Sequence, residues 1–101
     1  MSKIKIIVLK VADPDEFLDE YPVEKLDWMV KCPYYTEGQE FMVEKGMPEG
    51  FCESAWRTIY TSVDVLKNGG NFPYFKEKGI SITCCNDGLR PVVFKVERIE
   101  E

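Results

Sequence analysis

Histidine is missing from this sequence of 101 residues. An imidazole is the most frequent general base, a common metal ligand and the side chain that titrates near neutral pH. Mechanisms that use histidine as a base, a ligand or a pH switch are therefore excluded, and a cysteine nucleophile cannot form a Cys–His dyad. Whether the protein is an enzyme stays open, but most enzyme classes lose their usual catalytic group.

Long apolar runs are also missing. The longest run near the N-terminus, Ile6-Ile7-Val8-Leu9, has four residues. The apolar part of a secretory leader needs about 7–15 residues, and a membrane-spanning helix needs about 20. We therefore expect a cytoplasmic protein that is neither exported by that route nor embedded in a membrane.

Positive charge is in the minority. The chain has 13 Lys and Arg against 18 Asp and Glu, which gives a net charge of −5. Clustered cations provide most of the affinity for nucleic-acid backbones and anionic membranes, so we predict no partner of either kind. Unidentified protein and small-molecule partners remain, as does a homo-oligomer formed through an exposed strand edge.

The order of predicted elements indicates an α+β fold in a single globular domain that spans residues 1–101. Runs of β-branched and alternating apolar residues predict five strands. These strands cover residues 3–11, 26–31, 40–44, 80–84 and 91–99. Short turns between several of them favour a small and largely antiparallel sheet.

Two helices are predicted to pack on this sheet. Asp13 and Pro14 form a capped helix start, and Pro22 limits that short helix to about two turns. A long helix is predicted over residues 51–68, where apolar side chains recur every three or four positions. Gly69 supplies the left-handed conformation that stops it.

Four cysteines are the unusual chemical resource of the chain. Cys32 ends a predicted strand, Cys52 begins the long helix, and the adjacent Cys84 and Cys85 end another strand. A helix N-terminus favours a thiolate, yet cysteine is also among the most buried residue types, so Cys52 is either reactive or ordinary packing. Because neighbours in a strand point to opposite faces, we expect Cys85 to face a site and Cys84 to pack in the core.

Cys32, Cys52 and Cys85 are the candidate ligands of a thiolate-bound metal, and pairs of them are candidates for redox chemistry. Structural zinc and iron–sulfur sites usually contain a Cys-x-x-Cys motif, whereas successive cysteines here are 20, 32 and 1 positions apart. A metal would need thiolates from three separate segments. No cofactor is required for a chain of this size to fold.

The segment after the paired cysteines contains Asp87, Gly88 and Arg90. The Asp-Gly pair predicts a tight reversal with positive φ between the last two strands. Arg90 is a candidate contact for an anion, since a guanidinium binds carboxylate or phosphate; alternatively it pairs with Asp87 and braces the turn. Tyr34 and Tyr35 belong to a set of aromatic residues that either line a ligand pocket or fill the core and its rim.

Four segments contain the candidate cysteines or border the long helix. They are Lys31-Cys32-Pro33 with Glu37-Gly38, Met47-Pro48-Glu49-Gly50-Phe51-Cys52 with Ala55-Trp56, Asn68-Gly69-Gly70, and Cys85-Asn86-Asp87-Gly88-Leu89-Arg90-Pro91-Val92. Together they span nearly the whole chain and resemble an uncharacterised family of small cytoplasmic proteins from anaerobic bacteria and archaea. The resemblance implies that Cys-Pro, Pro-x-Gly-Phe-Cys-x-x-Ala-Trp and Cys-x-Asp-Gly motifs occur together, and it implies no activity. Cys84 departs from the single-cysteine pattern of the last motif.

Two functions are consistent with these residues. The first is a small ligand-binding or interaction domain without established catalysis. The alternative is a cysteine-centred metal-binding or redox module that uses Cys32, Cys52 and Cys85. The two differ in whether the three thiols meet in space, which the sequence alone does not decide.

Overall fold

A computed structural model describes residues 3–99 and has one α-helix packed against a four-stranded antiparallel sheet. This arrangement confirms the predicted α+β class. The strands are β1 (Lys3–Val11), β2 (Glu40–Val43), β3 (Ile80–Cys84) and β4 (Val92–Ile99), and the helix is α1 (Glu53–Lys67). No helix in this part of the chain is long and apolar enough to cross a membrane.

The sheet has the strand order β2-β1-β4-β3, so β1 and β4 form its centre. All neighbouring strands are antiparallel, and Ile6 of β1 pairs with Phe41 on one side and Val96 on the other. Helix α1 connects the two edge strands, β2 and β3. It must therefore cross one face of the sheet, which is the face that becomes the core.

The core lies between α1 and the covered face of the sheet. Alternate residues of β1 and β4 are fully buried there, as the period of two along a strand requires. At the N-terminal end of α1, the rings of Tyr35, Phe41, Phe51 and Phe94 pack together with centroid separations of 5.0–6.0 Å. This aromatic cluster anchors the loop before β2 to the rest of the molecule.

Helix α1 confirms the predicted long helix, although it begins and ends slightly inside the predicted limits. Cys52 is its N-cap and Asn68 its C-cap. Gly69 has a φ of +89° and its N–H donates to the carbonyl of Leu66, so it ends the helix as expected. Ala55, Ile59, Val63 and Leu66 form the buried stripe, whereas Tyr60 is exposed.

The predicted strand at 26–31 is wrong. Its alternating residues Leu26, Trp28 and Val30 are all exposed, and Met29 between them is buried. The Met29 N–H donates to the Leu26 carbonyl, which closes a local turn. An alternating pattern forms a strand only where the segment pairs with another strand, and residues 26–31 pair with none of the four strands of the sheet.

The predicted short helix is only partly present. Asp13 caps the Asp15 N–H at 3.1 Å and Pro14 begins the first turn, as expected. The segment then forms two separate 3₁₀ turns, Pro14–Glu16 and Leu18–Glu20, instead of one α-helix. Phe17 separates them with φ −141° and ψ −11°, which is not a helical conformation.

Candidate functional site

A cavity of about 610 Å³ lies at the N-terminal end of α1. Its walls come from the loop before β2, the first turn of α1 and the loop between β3 and β4. The residues that line it include Cys32, Cys52, Cys85, Arg90 and Tyr35. The volume lies within the range of about 300–1,000 Å³ that is typical of small-molecule sites.

The three candidate cysteines are therefore brought to one cavity from distant parts of the chain. A smaller cavity of about 260 Å³, beside Trp56 and Tyr60, contains no cysteine among its lining residues. Tyr34 and Tyr35 both line the larger cavity, but Tyr34 is exposed and Tyr35 is buried. We call the larger space, lined by Cys32, Cys52 and Cys85, the thiol cavity.

Tyr35 joins the thiol cavity to the core. Only 7% of this residue is exposed, and its hydroxyl oxygen accepts the Cys52 N–H at 3.0 Å. Burial raises the pKa of Tyr35 to about 12; the Cys52 N–H opposes that rise, and the neighbouring thiols of Cys52, Cys32 and Cys85 reinforce it. The phenol is therefore neutral at physiological pH, and its own proton has no acceptor among residues 3–99.

Cys52 occupies the helix start that the sequence predicts. Its carbonyl accepts the Trp56 N–H at 2.9 Å, but its side chain makes no capping hydrogen bond. The Cys52 thiol is therefore not hydrogen-bonded to the backbone N–H groups at the start of the helix. The neighbouring carboxylate of Glu53 pairs with Arg57 at 2.6 Å on the exposed surface of α1.

Cys32 is half-buried at the end of the loop that precedes Tyr34 and Tyr35. Burial raises the pKa of the Cys32 thiol, although the backbone N–H of Tyr34 and the charge of Arg90 oppose this effect. Cys85 and Cys52 are close enough to raise the pKa further. At neutral pH Cys32 is therefore a protonated thiol.

Cys85 and Cys84 differ in their surroundings. Cys85 is half-buried, its N–H donates to the Val92 carbonyl at 3.0 Å, and its sulfur accepts the Val92 N–H at 3.3 Å. Cys84 is exposed, so the prediction that it packs in the core is wrong. It lies on the same face of β3 as the exposed Ile82, which α1 does not cover.

The loop between β3 and β4 holds Arg90 through Asp87. One carboxylate oxygen of Asp87 accepts the backbone N–H groups of Leu89 and Arg90 at 2.9 and 3.0 Å, and the other accepts Arg90 Nε at 3.1 Å. Burial opposes ionisation of Asp87, but these donors outweigh it and lower the pKa of Asp87. The Arg90 guanidinium also lies 5.3 Å from the ring centroid of Trp28.

The expected pairing of Arg90 with Asp87 is thus present, but the expected tight reversal is not. Gly88 does not adopt a positive φ. The Asp87 side chain forms the turn by accepting the following backbone donors, so a left-handed glycine is not needed. Trp28 lies beside Arg90 at the site, and the sequence pattern does not indicate this because it predicts a strand at Trp28.

No metal centre is formed in the part of the chain that the structure describes. Within residues 3–99, no group of three or more Cys, Asp or Glu side chains is positioned to hold an ion. All four cysteines are free thiols. Cys32, Cys52 and Cys85 share a cavity, but in this arrangement they are neither bonded to one another nor arranged as a set of ligands.

Comparisons with protein-family models, with curated proteins and with solved structures found no match to this chain. The assignment of a function therefore depends on the chemistry of the thiol cavity.

Proposed function

We propose that this is a small-molecule-binding domain whose ligand occupies the thiol cavity. The observation that carries the proposal is the convergence of Cys32, Cys52 and Cys85 with Tyr35 and Arg90 on one space of about 610 Å³. Ligand sites commonly combine apolar walls with a few convergent polar groups, and this cavity has both. The proposal assumes the reducing cytoplasm, in which thiols persist.

The lining residues favour binding over catalysis. General-base or nucleophilic chemistry needs a proton acceptor beside the reacting thiol. The carboxylate that lines the cavity, Asp87, already accepts three hydrogen bonds within its own loop. Tyr35 is neutral, since burial raises its pKa to about 12, and is a poor base at neutral pH.

Monobromobimane, a small planar electrophile that alkylates thiols, tests whether the cavity admits a small molecule. We expect the reagent to label cavity cysteines as well as the exposed Cys84, with mass spectrometry locating each adduct. Ser54→Trp places a large ring at the cavity wall and should slow labelling of the cavity cysteines about tenfold relative to Cys84. Thr61→Trp adds the same ring to an exposed position of α1 outside the cavity and should change neither.

The outcomes of this experiment are distinct. Labelling confined to Cys84 in the unmodified protein would contradict the proposal, because the cavity would then be closed to a ligand of this size. Equal labelling of the cavity cysteines in Ser54→Trp and Thr61→Trp would also contradict it, because access would not pass through the space beside Ser54.

A second candidate function is favoured by the three thiols themselves. Soft metal ions bind thiolates, so Cys32, Cys52 and Cys85 form a metal or redox module if their sulfur atoms approach one another. Cadmium titration of the reduced protein tests this through the ultraviolet charge-transfer absorption of thiolate–metal bonds. The hypothesis predicts one ion per chain and loss of absorption in Cys32→Ser, Cys52→Ser and Cys85→Ser. Retention of the signal in these variants, or its loss in Cys84→Ser, would reject it.

A further inference from the structure

We infer that the ligand of the thiol cavity is a small organic anion whose carboxylate or phosphate group binds Arg90 and the Tyr35 hydroxyl. The inference rests on the proposed function and adds the charge of the ligand to it. It is carried by two donors that line the cavity and have no acceptor among residues 3–99, the Nη groups of Arg90 and the hydroxyl proton of Tyr35.

The Arg90 side chain is held in place, but within the described residues only one of its guanidinium nitrogens donates a hydrogen bond. Its Nε donates to Asp87 at 3.1 Å, and its guanidinium lies 5.3 Å from the Trp28 ring centroid. Within residues 3–99, neither Nη group of Arg90 makes a hydrogen bond. A guanidinium restrained on two sides loses little conformational entropy on binding, and its free N–H groups match a planar carboxylate or a phosphate.

Tyr35 is the second donor. Its residue is 93% buried, which follows from its exposure of 7%. The hydroxyl oxygen is occupied as an acceptor by the Cys52 N–H, so its remaining capacity is the O–H proton. A buried hydroxyl without an acceptor is unfavourable, and an anionic oxygen in the cavity would accept its proton.

The first turn of α1 adds donors on the same side. Ser54 and Ala55 line the cavity, and the Cys52 side chain does not cap the helix. The first backbone N–H groups of a helix have no acceptor within the helix, and they carry partial positive charge. This feature supports the anion site that Arg90 and Tyr35 define.

Negative charge near the cavity is already compensated. Asp87 accepts two backbone N–H groups and Arg90 Nε. Glu53, at the start of α1, pairs with Arg57 at 2.6 Å. Within residues 3–99, Arg90 and Tyr35 therefore keep unpaired donors at the cavity. An anionic oxygen accepts hydrogen bonds from both, and hydrogen bonds to a charged acceptor are stronger than those to a neutral one.

The cavity thiols provide a direct test, since iodoacetate and iodoacetamide alkylate the same sulfur atoms and differ in charge. Each thiolate displaces iodide and forms one S–CH₂ bond, so the two reactions differ only in the carboxylate or amide that is brought in. We expect the rate ratio of iodoacetate to iodoacetamide at Cys52 or Cys85 to be about tenfold higher than at Cys84 in the same molecule. Quantitative mass spectrometry of each peptide gives the ratio.

Arg90→Gln should lower the cavity ratio to that of Cys84, and Tyr35→Phe should lower it by a smaller factor. Lys78→Gln removes the same charge from an exposed residue outside the cavity and should leave the ratio unchanged. If a variant is alkylated by iodoacetamide at the same rate as the unmodified protein, its cavity is intact. If Arg90→Gln changes the iodoacetamide rate, the iodoacetate-to-iodoacetamide ratio is compared in Arg90→Lys and Tyr35→Phe instead.

The result also separates this inference from the proposed function. Suppose that iodoacetamide reacts with the cavity cysteines, but that their iodoacetate-to-iodoacetamide rate ratio equals the ratio at Cys84. This result would overturn the anion inference and still show that the cavity admits small molecules. Failure of both reagents to reach any cavity cysteine while Cys84 reacts would overturn the proposed function and the inference together.

Discussion

At the scale of single residues, Tyr35 belongs both to the core and to the candidate site. Its ring packs edge-on against Phe41, Phe51 and Phe94, and its hydroxyl holds the Cys52 N–H. Aromatic packing alone would be satisfied by phenylalanine at this position. The ring of Tyr35 therefore belongs to the core, and its hydroxyl belongs to the candidate site.

Tyr35→Phe should lower the free energy of unfolding by about 1–2 kcal/mol, because a partly buried Cys52 N–H loses its acceptor while the ring packing stays. Tyr34→Phe is the matched control, since Tyr34 is exposed and its loss of a hydroxyl should change stability by less than about 0.5 kcal/mol. Urea denaturation followed by circular dichroism measures both. Equal stabilities for the two variants would contradict the assigned hydrogen bond.

The same residue makes stability depend on alkaline pH. Burial raises the pKa of Tyr35 in the folded state to about 12, above its ordinary value near 10 in an unfolded chain. Its contribution is therefore fully present below about pH 10 and is lost as pH rises toward 12. The stability of the unmodified protein should fall relative to Tyr35→Phe between about pH 10 and 12, measured by urea denaturation. Parallel pH profiles would contradict this.

Phe94 packs against the rings of Tyr35 and Phe51 in the aromatic cluster and is fully buried in β4. Phe94→Ala should lower the free energy of unfolding by about 3–5 kcal/mol, because the cavity it leaves cannot be filled by neighbours from a sheet and a helix. Tyr74→Ala removes a comparable ring at a residue that is 75% exposed and should change stability by less than about 1 kcal/mol. Thermal and urea unfolding measure the difference.

At the scale of elements, two turns show that a local sequence pattern determines the backbone conformation in one case and not in the other. Gly69 ends α1 with positive φ as its position predicts, whereas Gly88 does not adopt the positive φ that Asp-Gly favours. In the second case the Asp87 carboxylate bonds to the backbone N–H groups of Leu89 and Arg90. A side chain that accepts backbone donors can replace a glycine turn, and spacing alone does not distinguish the two.

These two glycines give a matched prediction. Gly69→Ala should destabilise the protein by about 1 kcal/mol, because an L-residue at φ +89° is strained although no atom lies within 4 Å of the added methyl group. Gly88→Ala meets no atom within 4 Å and has no positive φ, so it should be neutral or slightly stabilising. Urea midpoints of the two variants check the order. Greater destabilisation by Gly88→Ala would contradict the assigned turn geometry.

The strands show a related division. Residues 3–11, 40–44, 80–84 and 91–99 were predicted from alternation or β-branched runs, and all four strands are present within about a residue of those limits. The segment 26–31 alternates in the same way but forms a local turn. Its pattern matches that of a strand, but it pairs with no other strand.

At the scale of the whole molecule, the connections explain why the cavity forms. The sheet order β2-β1-β4-β3 puts the start of α1, the loop before β2 and the loop between β3 and β4 at one end of the core. The segment from Ala12 to Gln39 has no β-strand of its own. It is nevertheless anchored, because Tyr35 is buried in the aromatic cluster and the Glu37 carboxylate accepts the Val11 N–H at 3.0 Å.

We therefore expect this long connection to unfold together with the core. In a Trp56→Phe variant, the fluorescence of Trp28 reports on the connection and circular dichroism reports on α1. Both signals should change in one urea transition with the same midpoint, as for a single cooperative domain. Loss of the Trp28 signal at a clearly lower urea concentration would contradict this expectation and make the loop before β2 a separate unit.

The sequence by itself determined the α+β class, the four strands, the presence and approximate extent of α1 and the exclusion of histidine chemistry. These features depend on local periodicity, capping and residue type, which act over a few neighbouring residues. Only the tertiary structure decided that 26–31 is not a strand, that Cys84 is exposed, and that Cys32, Cys52 and Cys85 line one cavity with Tyr35 and Arg90. Those outcomes depend on which chain segments pair or pack together in space, and residues far apart in the sequence carry no local signal of that.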